Sequence, residues 1–173
     1  MESIFQIDDY HYPKFFSKEH LVDILLQPEE YQIRKYLKYL RLEEYHIAKG
    51  NKLRMYWWRS KRNRLGAKLG FIIHPQNFGP GLKIWHYGSI IINPKARIGK
   101  NCQIHGNCCI GSTGGFPDDS PVIGDNVNIG QGAQILGGIT IADGVKIGAG
   151  AVVVKSITTP GVTVVGIPAK VIK

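Results

Sequence analysis

His86 is the residue in this chain best placed for acid–base chemistry. It lies in Gly81-Leu-Lys-Ile-Trp-His-Tyr-Gly-Ser-Ile90, one six-residue step before Ile92, at a phase that ten later steps fill with aliphatic side chains. An imidazole set against an apolar wall loses affinity for its proton, so this register predicts a ring that is neutral and basic near pH 7. Such a ring suits general-base catalysis. If three six-residue steps make one coil, residue 104 stacks on residue 86, and His105 comes to lie beside it. The stretch from Gly111 to Val122 is a second candidate: it is glycine-rich, carries Asp118 and Asp119, and breaks the spacing on either side. An extruded loop on a rigid scaffold is where function concentrates. The three cysteines offer less. Cys102 and Cys108 occupy small-residue core slots, Cys109 follows directly, and there is no CxxC. They are expected to be reduced packing residues.

The elements that position these groups follow from one periodicity. Ile92, Ile98, Ile104 and Ile110 share a register that Ile123, Ile129, Ile135, Ile141, Ile147 and Val153 resume. The next residue is usually small, as at Gly99, Gly111, Gly124, Gly130 and Gly148. A helix repeats every 3.6 residues and cannot hold this beat. A strand can, but a glycine at fixed phase calls for a turn in every step. The pattern is the hexapeptide repeat of a parallel β-helix. The expected fold is therefore mainly β, with a small N-terminal α-helical cap. Residues 1–68 form the helical region, residues 69–158 the solenoid with its extruded loop at 111–122, and residues 159–173 an extended tail. Within the helical region, Ser17 is the expected N-cap of a short helix through Leu26. Pro28, Glu29 and Glu30 open the next helix, whose apolar stripe is Ile33, Tyr36, Leu37, Leu40 and Ile47. Gly50 ends it, and a further helix runs from Asn51 to Leu65 with Gly66 as its stop.

The formal charge of +9 implies an anionic partner: nucleic acid, a membrane surface, an acidic glycan or a phosphorylated cofactor. Lys52 to Arg64 interleaves six basic residues with Tyr56, Trp57 and Trp58. Such a mixture indicates either nucleic-acid binding or attachment to an anionic membrane. With no recognised nucleic-acid motif beside it, the favoured reading is a cap helix whose aromatics pack on the solenoid or a neighbouring subunit, and no nucleic-acid partner is expected. Nothing near Met1 resembles a signal peptide and no apolar run is long enough to span a bilayer, so a cytoplasmic protein is expected.

Residues 70–170, about three fifths of the chain, resemble the hexapeptide-repeat acyltransferases. The resemblance rests on His74-Pro75, on Gly81-Leu82 through His86, on Ile90-Ile-Ile-Asn93 and on Ile129-Gly-Gln-Gly-Ala133. Ile135-Leu-Gly137, Ile147-Gly-Ala-Gly-Ala-Val-Val153 and Gly166-Ile-Pro-Ala-Lys170 complete it. Within that group it is similar to the serine acetyltransferase branch and to relatives that O-acetylate capsule and exopolysaccharide sugars. The resemblance implies a left-handed helix of triangular section, a homotrimer with sites between subunits, and acetyl-CoA as cosubstrate with no metal. It also implies that His86 is the base, freeing a hydroxyl that attacks the thioester directly. Gly130, Gln131, Gly148 and Ala149 match positions along the pantetheine arm. Gly111 and Ser112 join that cofactor set, and Lys155, Pro168 and Lys170 are expected near the nucleotide.

This chain also departs from the serine acetyltransferase pattern. Trp85 stands where an Asp precedes the catalytic His, Ile72 where a second Asp orients it, and Asp119-Ser120-Pro121 where the branch has Arg-His-Pro. Those changes remove groups that would grip an amino acid. Trp85 and Tyr87 read instead as a wall for a sugar ring, with His74 and His105 nearby and Asp118 or Asp119 orienting His86. The resulting expectation is O-acetylation of a sugar or polysaccharide hydroxyl, with possible peripheral contact to a membrane-linked glycan. Serine O-acetylation is the alternative. A zinc lyase of the carbonic-anhydrase-like type and a non-catalytic solenoid are the others. His74, His86 and His105 are spaced by 12 and 19 residues, unlike the three-imidazole motif of that lyase.

Overall fold

The computed structural model describes residue 8, residues 18–114 and residues 119–172. Three helices lead: α1 (Lys18–Leu26), α2 (Glu29–Ala48) and α3 (Lys52–Leu69). Ser17 lies outside the described residues. Helix α2 buries Ile33, Tyr36, Leu37 and Leu40, the i, i+3, i+4, i+7 face that its sequence marks. Gly50 ends it in a left-handed conformation. Helix α3 runs past Gly66 to a left-handed cap at Gly70. Gly66 is therefore not a stop: a Cβ there would lie 2.7 Å from the Phe71 carbonyl oxygen, so it is the close-contact point of helix on solenoid.

From Phe71 the chain winds into a left-handed parallel β-helix of short strands. One sheet stacks β1 (Phe71–Ile72), β3 (Ile90–Ile92), β6 (Cys108–Gly111), β9 (Gln134–Leu136) and β12 (Val152–Val153). A second stacks β4 (Arg97–Ile98), β7 (Val122–Ile123) and β10 (Thr140–Ile141). The third stacks β2 (Lys83–Ile84), β5 (Gln103–Ile104), β8 (Asn128–Ile129), β11 (Lys146–Ile147) and β13 (Thr163–Val165). The regular isoleucines point inward and are buried, with Ala96, Cys102, Cys108, Val127, Ala133, Val145 and Ala151 filling the narrow angles. Each buried aliphatic contributes about 1.5–3 kcal/mol, so the repeat is its own source of stability. The tail does more than extend: β13 continues the third sheet and pairs antiparallel with β14 (Lys170–Val171).

The helices are locked to the first coils by buried charge. Arg41 binds the Asp8 carboxylate through two nitrogens at 2.8 and 2.9 Å and donates to the carbonyls of Phe78 and Gly79. Asp8 in turn accepts from the Leu82 backbone N–H. Glu43, fully buried, binds both Arg59 and Arg62 at 2.7 Å, and Arg62 donates to the Ile73 carbonyl. Ion pairs this well hydrogen-bonded fix an angle between elements more than they add stability. Here that angle fixes where the first turn of α2 points.

Candidate active site

The three corners of the prism are not equivalent, and His86 sits on the one joining the third sheet to the first. Register sets its position. Ile84 pairs with Ile104 and Ile90 with Cys108, so Trp85 to Ser89 is opposed by only His105 to Asn107. This first corner is longer than the one stacked on it, and the extra length moves His86 out of the inward phase. Ile84, Ile90 and Ile92 take the core instead. The expectation of a desolvated, in-register imidazole is thus corrected: the His86 side chain is 63% exposed and projects from the corner. The ring is outside the prism, where a substrate can meet it. The expected neighbour is present by a different register, with the His86 and His105 rings 6.3 Å apart.

The carboxylate facing His86 comes from the helical cap. Glu29, in the first turn of α2, accepts from the Tyr87 backbone N–H at 2.8 Å and places its second oxygen 3.4 Å from His86 Nδ1. An acid in a helix's first turn is also favoured by the helix dipole. An ionised carboxylate only accepts, so this contact assigns the proton to Nδ1 and leaves Nε2 as the open lone pair. On the other side, Trp85 stacks on His105 at 5.9 Å and donates through Nε1 to Gln103. Lys83 Nζ lies 4.1 Å from the Trp85 ring centroid. Burial, and then the neighbouring His86, push the His105 imidazole below its ordinary pKa. The corner is held in place by Ser89 N–H donating to Asn107 Oδ1 and by Gly106, where a Cβ would lie 2.7 Å from the Tyr87 carbonyl oxygen.

The remaining predicted residues divide between corners. Gly130, Gln131, Gly148 and Ala149 follow β8 and β11, so they stack on the His86 corner two and three coils further on. At about 4.8 Å per strand spacing, that is about 10 and 15 Å along the axis. His74, Ser112 and Lys155 follow strands of the first sheet and so lie on the next corner, while Gly111 ends β6 and leads into it. His74 lines a cavity of about 730 Å³ together with Arg59, Arg62, Ile72, Ser89 and Ile91. Burial, then Arg62, lowers its pKa. Within one chain Asp119 faces Thr113, at the corner after the one that carries His86. Its carboxylate accepts from Thr113 Oγ1 at 2.6 Å, a bond that holds it below the usual carboxylate range. Asp118 lies outside the described residues. Pro168, preceded by a cis peptide bond, and Lys170 belong to the closing β13–β14 hairpin. Among the described residues of one chain no three His, Cys, Asp or Glu side chains gather as metal ligands.

Residues 120–155 match the family described as bacterial transferase hexapeptide (six repeats). A serine acetyltransferase of Buchnera aphidicola (subspecies Schizaphis graminum) is 38% identical over 145 residues, covering 78% of this chain and 55% of that protein. Over these stretches the chain is similar to serine acetyltransferases. A soybean serine acetyltransferase complexed with serine superposes with a TM-score of 0.71 at 31% identity, covering 82% of this chain and 58% of that one. A serine acetyltransferase in complex with CoA superposes with a TM-score of 0.68 at 26% identity, covering 82% and 57%. The chain spans about half the length of the curated relatives it matches. These relatives overturn the expected sugar or polysaccharide acceptor, and with it the glycan partner and the placement nearest to capsule and exopolysaccharide acetyltransferases. The physical ground for that expectation also weakens. An acid that the motif lacks stands beside His86 as Glu29, contributed from outside the matched positions.

Glu29 is the residue that sequence reasoning missed. It stands 57 positions from its partner, and its only local sign was an acid after Pro28 at a helix start.

Proposed function

We propose that this chain is a serine O-acetyltransferase that takes its acetyl group from acetyl-CoA. The observation that carries the reading is the His86–Glu29 contact on an exposed corner, in a chain homologous to serine acetyltransferases. Glu29 holds the imidazole with Nδ1 protonated. His86 Nε2 takes the proton of the serine hydroxyl as that oxygen attacks the thioester carbonyl. His86 then returns the proton to the departing thiolate, so the ring ends as it began and no covalent enzyme intermediate is needed. Glu29 also offers a negative charge for the ammonium of such an acceptor.

Gly130 and Gly148 keep the same corner flat along the prism. A Cβ on either would fall within 2.9 Å of the neighbouring coil, so glycine there serves packing as well as the approach of an extended pantetheine chain. His86 lies on a different corner of one chain from Ser112 and Asp119, which supports a threefold assembly in which neighbouring subunits bring them together. His74, Ser112, Lys155, Pro168 and Lys170 are assigned to substrate and nucleotide contacts in that assembly.

Purified protein given acetyl-CoA should release free thiol at a rate that depends on added serine. A rate indifferent to serine, or one that follows a different hydroxyl acceptor, overturns the proposal.

A further inference from the structure

Helix α3 carries seven Lys and Arg residues and no Asp or Glu. Its inward side is accounted for: Arg62, Leu65, Gly66 and Leu69 are buried, Arg59 and Arg62 are bound to Glu43, and Trp58 meets the Tyr39 ring. The opposite side does not pack on the solenoid, one of the two surfaces expected to cover its aromatics. Leu53, Tyr56 and Trp57 share one face by i, i+3, i+4 spacing, and they are 86%, 59% and 52% exposed. Cations frame this apolar spot. Lys61 Nζ sits 3.9 Å from the Trp57 ring centroid, while Lys52, Arg54, Arg64 and Lys68 are exposed along the same helix.

We infer that this face of α3 docks on an anionic lipid surface. A leucine and two amphipathic aromatics amid lysine and arginine are the chemistry of a helix lying in the membrane interface, with apolar groups at acyl depth and cations at the headgroups. Charge complementarity selects this occupant over a second copy of the chain: two such faces brought together would oppose cation to cation with no acid on either helix. It also selects it over nucleic acid, which would leave Leu53 in water with no apolar counterpart. No helix among the described residues is long and apolar enough to span a bilayer, so docking is peripheral. The inference stands apart from the His86 site and does not depend on the acceptor.

The test is co-sedimentation of the full chain with vesicles of phosphatidylcholine alone and of equal parts phosphatidylcholine and phosphatidylglycerol. Binding is expected only to the mixed vesicles, and it should be lost near 1 M salt, where screening shrinks to about 3 Å. Arg54→Glu and Arg64→Glu should each weaken binding at least about fivefold, the factor corresponding to about 1 kcal/mol per cation at such a surface. Leu53→Ser combined with Trp57→Ala should abolish binding while leaving thermal melting unchanged, since both side chains are exposed. Equal binding to neutral vesicles, no binding to either, or indifference to these substitutions overturns the inference. So does retention on DNA or RNA without vesicle binding, or dissociation of an oligomer by Leu53→Ser with Trp57→Ala.

Discussion

Replacing Gly106 by alanine should damage catalysis without touching a reacting group. Gly106 lies under the corner that carries His86, and an alanine Cβ there would sit 2.7 Å from the Tyr87 carbonyl oxygen and 3.6 Å from that of His86. Ordinary contact begins near 3.4 Å, so the Tyr87 peptide must retreat by about 0.7 Å. That oxygen is backbone and cannot rotate away, so the displacement passes to the adjoining imidazole. Overfilling a packed site costs about 1–3 kcal/mol, which in a chain of this size lowers the melting temperature by about 2–10 °C. A misplacement approaching 1 Å at a reacting group costs about a hundredfold in rate. Steady-state kinetics with serine and acetyl-CoA, beside a thermal melt, should therefore show kcat down by about 10- to 100-fold in protein still folded at the assay temperature. A lowered melting temperature with unchanged kcat would refute the reasoning, because the corner would have moved with no consequence for the chemistry.

Other perturbations test separate links. Glu29→Gln keeps an acceptor for the Tyr87 N–H but removes the charge facing His86; at 3.4 Å in a largely solvated setting that charge contributes about 1 kcal/mol, so kcat should fall about fivefold. Arg41→Ala leaves the Asp8 carboxylate buried without its partner and should cost about 3–5 kcal/mol in urea unfolding. His74 and His105 bind protons less readily when folded than their ordinary value of 6.5, chiefly through burial. The unfolded chain then binds more protons below that value, so this contribution is full above it and is lost as pH falls; the urea midpoint should be lower at about pH 5.5 than at about pH 7.5, and His74→Gln should narrow the gap. Burial pushes the Cys102 thiol up to about 11, so it should resist a thiol reagent until the chain unfolds, whereas the half-buried Cys109 should react first.

The solenoid was legible because its physics is local and repeated. Each inward aliphatic recurs at a fixed phase, and Ile98 through Val153 are buried as that phase requires. The register failed at the first corner, which is longer than the one stacked on it. Ile90 and Ile92 are both inward, so counting back six from either is self-consistent: one path reaches Ile84, which is buried, and the other reaches His86, which is not. The pairing of Ile84 with Ile104 decides between them, and no single-chain periodicity contains that information. Gly66 misled in the same way, since a glycine needed for a close approach to Phe71 looks like a helix stop until its neighbour is known. Glu29 was beyond reach because its role depends on how Arg41 and Arg62 seat the helices on the first coils. The acceptor was misjudged for a related reason: the motif positions lacked an acid beside His86, and the one present comes from a helix outside that motif.

The central claim is that His86 Nε2 removes the proton from serine. Serine-dependent thiol release by His86→Ala, compared with the parent protein at saturating acetyl-CoA, tests it most directly. Loss of about a hundredfold or more in kcat, in protein whose melting temperature matches the parent's, is the outcome predicted for a general base on an exposed corner. A His86→Ala protein that turns over serine at the parent rate would contradict it.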